Sequence, residues 1–395
     1  MTVDLAHPDT YTHGVPHDVF RELRATDPVS WRPEAGGFWA VTRYHDVVHV
    51  LRTPALFSSW RGGVLLDDPP PQFLDRLRES MMNKDPPDHT VMRRMVNKAI
   101  NPRRIEQLEG RIATHARALV DRVRDRGRCD FATDVAAEMP LFMICEILGV
   151  PDEDRRALYG LTQRMFNTEI TDAAAAMRDK MAAAGEMRAY GGELARRKSA
   201  APADDLASEL LTAEVDGRRL TPSEFEAFFM LLFNAGTDTT RSLLCYGLDL
   251  LLDRADERAR LRADPALWPR AVDELIRYVS PVIQIRRTAT AATALGDRPI
   301  AEGDKVVVFF PSANRDEAVF TDPDRLDLAR APNDHVGFGF GAHFCLGAPL
   351  ARLEARHVLE QVLALDGLER AAPPVPARTN FVRGLHHLEI AYSAG

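Results

Sequence analysis

The sequence predicts a mainly α-helical protein with small β-sheets, organised as a single domain over residues 1–395. Helix-forming sequence fills most of the chain, whereas strand patterns stand out at two places only. One helical pattern near the middle is long enough to cross a whole domain. Neither an internal repeat nor a Pro/Ser-rich linker divides the chain, and 395 residues suffice to bury one large core.

Composition indicates a globular protein without a nucleic-acid partner. Apolar residues make up 45% of the chain and charged residues 27%, which excludes a disordered or fibrous chain. The 50 Lys and Arg residues face 58 Asp and Glu residues, which gives a net charge of -8. Such an acidic balance favours solubility and offers nothing to attract a phosphate backbone.

Cysteine usage and the first residues predict a cytoplasmic protein without a membrane anchor. The 4 cysteines form no CxxC pair and are too few for a disulfide framework. Residues 1–30 contain no apolar segment of the kind found in secretory signals. A reducing compartment is therefore the simplest expectation.

Strand patterns occur at residues 38–42, Phe-Trp-Ala-Val-Thr, and at residues 306–310, Val-Val-Val-Phe-Phe, which follow a turn. Residues 60–88 are rich in Pro and Asp and are expected to hold at most one short helix, around residues 73–79. A long irregular stretch inside a compact domain is often functional, and we expect this one to cover a ligand.

The clearest helix is predicted to begin at Thr221. This residue is an N-cap, Pro222 occupies the first helical position and Glu224 completes a capping box. Apolar residues then recur with helical periodicity as far as Leu250. If the helix ends at Asp253, it is ~48 Å long at 1.5 Å per residue.

The middle of this helix has an unusual composition, because residues 234–240 read Asn-Ala-Gly-Thr-Asp-Thr-Thr. Side chains of these types compete for backbone hydrogen bonds and are poor choices for a helix interior. One interpretation is a solvated face. The other is a distortion of the helix that lines a polar site inside the core.

A glycine-rich loop around Cys345 carries the strongest chemical signal. Residues 338–347 read Phe-Gly-Phe-Gly-Ala-His-Phe-Cys-Leu-Gly and run into helix-forming sequence. A helix start and backbone N–H groups favour a thiolate over a thiol, and the glycines allow close approach of a flat partner. A lone thiolate fits one axial bond to a haem iron. The alternatives are a buried, inert cysteine and a dinucleotide-binding fingerprint over residues 337–342, which lacks the preceding buried strand.

The run Phe338, Gly339, Gly341, His343, Cys345, Gly347 resembles the haem-binding signature of cytochromes P450, and the rest of the chain agrees in order. The resemblance implies the P450 fold, with a long central helix over a haem. It implies haem b as the cofactor and the Cys345 thiolate as the iron ligand. Phe338, Gly339 and Gly347 are then parts of the cofactor site.

Glu274 and Arg277 resemble the Glu-x-x-Arg pair of the same family, and they share a helix face at positions i and i+3. Arg325 resembles the third member of that ion-pair network. The resemblance implies a structural role for the three residues in building the haem-binding core.

The segment around Asp238 is similar to the oxygen-activating break in the family's central helix. Ala235 and Gly236 are then expected to leave room for dioxygen. Asp238 and Thr239 are expected to be the catalytic residues, because an acid–alcohol pair can pass protons from solvent to the distal oxygen.

Two haem propionates require cationic or hydrogen-bonding partners. His89 and Arg93, at i and i+4 on a short helix, match the family's first pair. Arg287 and His343 match two further positions. The participation of Arg286, the neighbour of Arg287, stays open on sequence grounds.

These features predict a monooxygenase of secondary metabolism that oxidises an apolar small molecule with dioxygen. A ferredoxin and its NAD(P)H-dependent reductase are the implied partners, and they are expected to dock near two basic pairs, Arg94 with Lys98 and Arg352 with Arg356. A peroxygenase and a non-catalytic haem-thiolate protein are the alternatives, and the acid–alcohol pair argues against both. The substrate is expected to be a steroid, terpenoid, fatty acyl or polyketide compound, in a site whose mostly apolar walls are expected at residues 60–85, 158–190, 228–234, 282–285 and 381–384. Stretches 14–17, 37–43, 57–63 and 312–317 are similar to mycobacterial P450s that oxidise steroids and branched lipids.

Overall fold

The computed structural model describes residues 3–99, 102–167, 169–170 and 172–394. Helices dominate these ranges, as the sequence predicts. The α-helices are α1 His17–Thr26, α2 Tyr44–Arg52, α3 Pro71–Leu77, α4 Asp88–Ala99, α5 Pro102–Arg124, α6 Glu138–Leu148, α7 Arg155–Met165, α8 Ala173–Ala200, α9 Leu206–Thr212, α10 Pro222–Leu252, α11 Ala255–Ala263, α12 Trp268–Val279, α13 Phe310–Ala313 and α14 Ala348–Leu363. None of the helices in the described ranges is both long enough and apolar enough to span a lipid bilayer.

The strands are short and form small sheets. They are β1 Val29–Arg32, β2 Phe38–Val41, β3 Phe57–Ser58, β4 Arg128–Asp130, β5 Gln284–Ala289, β6 Thr293–Leu295, β7 Arg298–Ile300, β8 Lys305–Phe309, β9 Glu369–Arg370, β10 Val375–Pro376, β11 Leu385–His387 and β12 Glu389–Ala391. The largest sheet has the order β1-β2-β8-β5-β3, in which β2 and β8 are parallel and the other neighbours antiparallel. Both strand predictions, at 38–42 and 306–310, are confirmed to within one residue.

Helix α10 forms the centre of the fold. It begins after Thr221, whose side chain accepts from the Glu224 N–H while the Glu224 carboxylate accepts from the Thr221 N–H, so the predicted capping box is present. Its 31 residues give a length of ~46 Å. It packs against α6, α8, α12 and α14. The buried Phe225, Phe228 and Phe229 anchor its first turns in the main core.

Helix α10 is not interrupted at residues 234–240, because it continues through them. The hydroxyl of Thr237 donates to the carbonyl of Phe233 at 2.8 Å, and the hydroxyl of Thr239 donates to that of Ala235 at 2.7 Å. These bonds to the carbonyl four residues earlier satisfy the hydroxyl groups within the helix, and bonds of this kind often bend a helix slightly.

Residues 60–88 form the expected irregular stretch, with α3 where one short helix is predicted and one further turn at 81–83. Ion pairs fasten it to the rest of the fold. Asp68 pairs with Arg286 at 2.7 Å and with Lys305 at 2.6 Å. Glu79 pairs with Arg188 on α8 at 2.8 Å.

A buried ion-pair network joins α12 to the chain that precedes Cys345. Arg277 donates to both carboxylate oxygens of Glu274 at 2.8 Å, and both side chains are fully buried. The third charged member is Arg330, whose Nε lies 3.1 Å from Glu274 Oε2. The expectation for Arg325 is wrong, because its side chain is exposed and only its carbonyl takes part, as an acceptor for Arg277 and Arg330.

Replacing Arg330 with Ala should destabilise the protein by about 2 kcal/mol, because Glu274 then loses a charged hydrogen-bond donor in the interior. Arg325→Ala is the matched control and should change the free energy of unfolding by less than about 0.5 kcal/mol. Denaturant unfolding of the two variants measures the difference. Equal losses would contradict the assignment of Arg330.

Candidate functional site

The loop at residues 338–347 is held in a tight conformation immediately before α14. Gly339 and Gly341 have φ angles of +73° and +71°, a region that other residues rarely adopt. A Cβ at Gly341 would also lie 2.7 Å from the Leu51 carbonyl oxygen. The N–H of Cys345 donates to the carbonyl of Phe338 at 2.9 Å, which closes the loop. The sequence therefore fixes Cys345 at the start of a helix, as predicted.

Opposing effects act on the Cys345 thiol. Burial is the largest effect and leaves its pKa raised overall, whereas hydrogen bonding to the N–H groups of Gly347 and Ala348 and the positive charges of Arg93 and Arg352 act to lower it. Burial raises the pKa of the Cys145 and Cys245 thiols to about 12. Cys345 thus has backbone donors and cations suited to a thiolate, which is the form that binds a metal.

Four cationic or basic side chains meet beside this loop. His89 and Arg93 extend from α4, Arg287 from β5 and His343 from the loop itself. The rings of His89 and His343 lie 4.1 Å apart between centroids. The pKa of His343 is lowered to about 2 by burial and by the charges of Arg287, His89 and Arg93. The structure therefore brings together the four residues that the sequence predicts for one role.

This basic cluster, His89, Arg93, Arg287 and His343, offers hydrogen-bond donors that are not used within the described part of the chain. Both ring nitrogens of His89 and Nε2 of His343 are buried without a partner. Arg287 is buried, and its one hydrogen bond among the described residues goes to the Arg286 carbonyl, at 2.9 Å. Buried donors without acceptors are costly. A group with two carboxylates beside Cys345 would supply the missing acceptors, so the residues present fit a haem.

The structure separates Arg286 from the basic cluster. Arg286 and Arg287 are adjacent in β5 and so point to opposite faces of the sheet. Arg286 donates to Asp68 at 2.7 Å and lies where a Cβ on Gly62 would be. Arg286 therefore connects the 60–88 stretch to β5.

Helix α10 carries the predicted catalytic segment, and the residues of this segment differ from one another in burial and in their contacts. Ala235 is exposed on the helix. A Cβ on Gly236 would lie 2.7 Å from Ile144 Cδ1, so close packing against α6 also requires a glycine here, and the expectation that it leaves room for dioxygen stays a prediction. Burial raises the pKa of the Asp238 carboxyl, which makes it a better proton carrier near neutral pH.

Sequence reasoning misses Gln163 on α7, whose Nε2 donates to Asp238 Oδ1 at 3.0 Å. A single glutamine in an amphipathic helix carries no pattern that distinguishes it from a surface residue. Only the packing of α7 on α10 reveals the contact.

The residues predicted to dock an electron donor are largely paired with acidic groups. Arg94 contacts Asp216 at 3.2 Å, and Arg352 contacts Asp273 at 2.7 Å. Arg356 pairs with Glu360 and Lys98 donates to the Glu214 carbonyl. This surface therefore carries mixed charge, and the predicted basic face is wrong in that respect. A groove of about 600 Å³ lies beside it, with an apolar floor and charged edges, and is lined by Ile105, Glu106, Glu109, Pro269, Val272, Pro349, Arg352, Leu353 and Arg356.

Comparisons with known proteins identify the family of this chain. The family model described as Cytochrome P450 matches residues 165–365. The chain is 35% identical to a steroid C26-monooxygenase of Rhodococcus jostii over 98% of this chain and 84% of that protein. It is also 35% identical to the linalool 8-monooxygenase of Pseudomonas putida over 98% of both chains.

A solved cytochrome P450 structure is similar to this chain over the whole fold. A Mycobacterium marinum cytochrome P450 in complex with pseudoionone is 36% identical, covers 99% of both chains and superposes with a TM-score of 0.92. The family model covers residues 165–365, and the sequence relatives and the fold agree with it over nearly the entire chain. The protein belongs to the cytochrome P450 family and is a monooxygenase whose haem iron takes a cysteine thiolate as axial ligand.

Proposed function

We propose that this protein inserts one oxygen atom of O2 into a C–H bond or an alkene of a terpenoid- or steroid-like molecule and reduces the other atom to water. Two electrons and two protons are consumed in each cycle. The electrons come from a ferredoxin that is reduced by an NAD(P)H-dependent reductase. The observation that carries this proposal is the half-buried acid Asp238 next to Thr239 on α10, since dioxygen chemistry needs delivered protons and a peroxide-driven reaction does not.

Cys345 is the proposed iron ligand. Its support is the loop that surrounds it, in which N–H groups of Gly347 and Ala348 and the charge of Arg93 favour a thiolate. The haem supplies oxygen activation and electron transfer. Phe338, whose carbonyl closes the loop and whose ring lies under the Arg352 guanidinium at 4.6 Å, helps to hold the loop in shape.

The basic cluster is proposed to hold the two propionates. Arg93 and Arg287 would contribute charge, and His89 and His343 would contribute neutral ring N–H groups, since burial lowers the pKa of His89 to about 4. Bonds from these donors to carboxylates are stronger than those between neutral groups. Ala235, exposed on α10, is the proposed distal neighbour of the cofactor.

The proposed substrate class draws on the relatives and on the expected walls. One relative is named for a steroid, another for linalool, and the M. marinum protein binds pseudoionone. The expected walls at 158–190 and 381–384 meet where the rings of Phe166 and Phe381 stack with centroids 6.2 Å apart. An apolar wall of this kind suits a hydrocarbon skeleton. Type I spectral titrations of the purified protein with steroids, terpenoids, fatty acyl compounds and polyketides test this proposal. The class that binds with the highest affinity identifies the preferred substrate type.

The electron donor is proposed to dock beside Cys345, over the groove next to Arg352 and Arg356. The groove is lined by residues of α14, the helix that follows Cys345 directly, so a donor seated there is close to the ligand. Its floor is apolar and its edges carry both signs of charge, which favours a small interface with modest salt dependence. Cycles that consume NADH and yield hydroxylated product in the presence of a ferredoxin and its reductase test the proposed function. Oxidation that proceeds only with added peroxide would favour a peroxygenase instead.

Cys345→Ala should abolish the thiolate-type band in the carbon monoxide difference spectrum, because no sulfur remains at the loop. Cys245→Ala is the control and should leave the band in place, since Cys245 lies on α10 and is buried in the hydrophobic core. A normal band in the Cys345 variant would refute the ligand assignment.

Arg287→Gln should release haem roughly 10- to 100-fold faster than the parent, because a buried charged donor to a carboxylate is lost. Arg286→Gln changes the neighbouring residue on the opposite face of β5 and should not alter haem release. Transfer of haem to an excess of apomyoglobin measures both rates. Similar rates in the two variants would place the propionates elsewhere.

Thr239→Ala should still bind haem and substrate but should convert more of the consumed NADH into peroxide and less into product. The cause is loss of the hydroxyl that passes protons from the acid to oxygen. Thr237→Ala is the control, because Thr237 makes the same kind of helix bond yet is buried on another face. If coupling is unchanged in Thr239→Ala, Thr240 or a bound water becomes the candidate relay.

A further inference from the structure

Arg352 extends over the loop that presents Cys345. It lies on α14, about two turns after Cys345, and its side chain is 36% exposed. The guanidinium carbon is 4.6 Å from the centroid of the Phe338 ring. The carbonyl of Phe338 accepts from the Cys345 N–H at 2.9 Å. A cation over an aromatic ring is attracted by the electrons of the ring, so Arg352 contacts the same residue that closes the Cys345 loop.

Asp273 on α12 holds Arg352 in this place. Its Oδ1 accepts from Arg352 Nε at 2.7 Å and lies 3.5 Å from Nε2 of His335. Nδ1 of His335 accepts from the Gly337 N–H at 3.2 Å, so a neutral His335 carries its proton on Nε2, towards Asp273. Burial raises the pKa of the Asp273 carboxyl, but the hydrogen bonds and charges of His335 and Arg352 prevail and lower it. The guanidinium is thus fixed between the Phe338 ring and an anion on another helix.

Two cations act on Cys345 through their charge. Burial raises the pKa of the Cys345 thiol, and the positive charges of Arg93 and Arg352 oppose this effect. Arg93 belongs to the basic cluster, where the proposed propionates would be its counter-ions. Of the two cations, Arg352 is therefore the one whose charge no propionate would offset.

We propose that Asp273 is a positioning residue that fixes the charge of Arg352 beside the Cys345 thiolate, so that the site takes up its first electron more readily. Uptake of one electron by ferric haem gives ferrous haem and adds one negative charge to the site. A fixed cation nearby favours the more negative state. The inference rests on the proposed assignment of Cys345 as the iron ligand. The role is independent of docking, because it acts also when no donor protein is bound.

Arg352→Gln removes the charge and keeps a side chain of similar length. Dithionite supplies the electrons in a titration of the purified holoenzyme with mediator dyes and without ferredoxin. The equilibrium constant for reduction should fall roughly fivefold, because one partly exposed unit charge near the site is lost. Arg356→Gln is the matched control, since Arg356 lies one turn along α14 but pairs with Glu360 at 2.9 Å. It should leave this constant unchanged.

Two further variants test the part played by Asp273. Arg352→Lys keeps the charge but lacks the Nε donor and the planar group, so it should recover only part of the lost constant. In an Asp273→Asn background, Arg352→Gln should have about half of its effect or less, because the guanidinium is no longer held over the loop. The comparison cancels the loss of the Asp273 charge itself, which is common to both members of the pair. Equal effects of Arg352→Gln in the two backgrounds would overturn the positioning role.

The outcomes separate the inference from the assignment on which it rests. An unchanged constant in Arg352→Gln would overturn the inference, and so would an equal fall in Arg356→Gln, which would indicate a general effect of surface charge. Slower reduction by ferredoxin with an unchanged constant would show that Arg352 serves docking only. A thiolate-type carbon monoxide band that persists in Cys345→Ala would refute the ligand assignment and the inference together. Loss of that band, combined with an unchanged constant in Arg352→Gln, would refute the inference alone.

Discussion

The carboxylate of Glu274 is the interaction on which the site depends. It accepts from Arg277, Arg330 and the N–H of Asp327, so one buried anion gathers α12 and the irregular chain between residues 314 and 333. Arg277 also donates to the carbonyl of Asn314, and the Asn314 side chain in turn accepts from the N–H of Val336 at 2.8 Å. Val336 lies two residues before the loop that presents Cys345. A chain of hydrogen bonds thus runs from a buried charge to the ligand loop, which has little regular structure of its own to fix its path.

Local signals in the sequence were sufficient for the parts of this protein that are determined locally. The start of α10 follows from the capping box at Thr221 and Glu224, and the shape of the Cys345 loop follows from glycines that must adopt positive φ angles. The pairing of Glu274 with Arg277 follows from their spacing on one helix. In each case the residues that make the contact are near neighbours in the chain.

The features that were missed depend on contacts between distant segments. Arg325 and Arg330 are equally plausible partners for Glu274 in sequence, and only the path of the chain decides which side chain reaches inward. The close contact of Gly236 with Ile144, 92 positions away in the chain, was not foreseen. Gln163 carried no signal because its partner, Asp238, lies on another helix. The path of α10 through residues 234–240 was left open, because Thr side chains can either disrupt a helix or bond within it.

Adjacent arginines on β5 serve different parts of the molecule, and this has an evolutionary consequence. Arg287 belongs to the basic cluster. Arg286 and Lys305 both pair with Asp68, whose side chain is 61% exposed. Under the proposed propionate contacts, position 287 is constrained by the cofactor, whereas position 286 is constrained by its contact with Asp68 in the 60–88 stretch. In related genes, residue 286 should covary with residues 68 and 305 and drift independently of residue 287. The two faces of β5 thus separate these constraints, so the 60–88 stretch can change in sequence without disturbing the cofactor site.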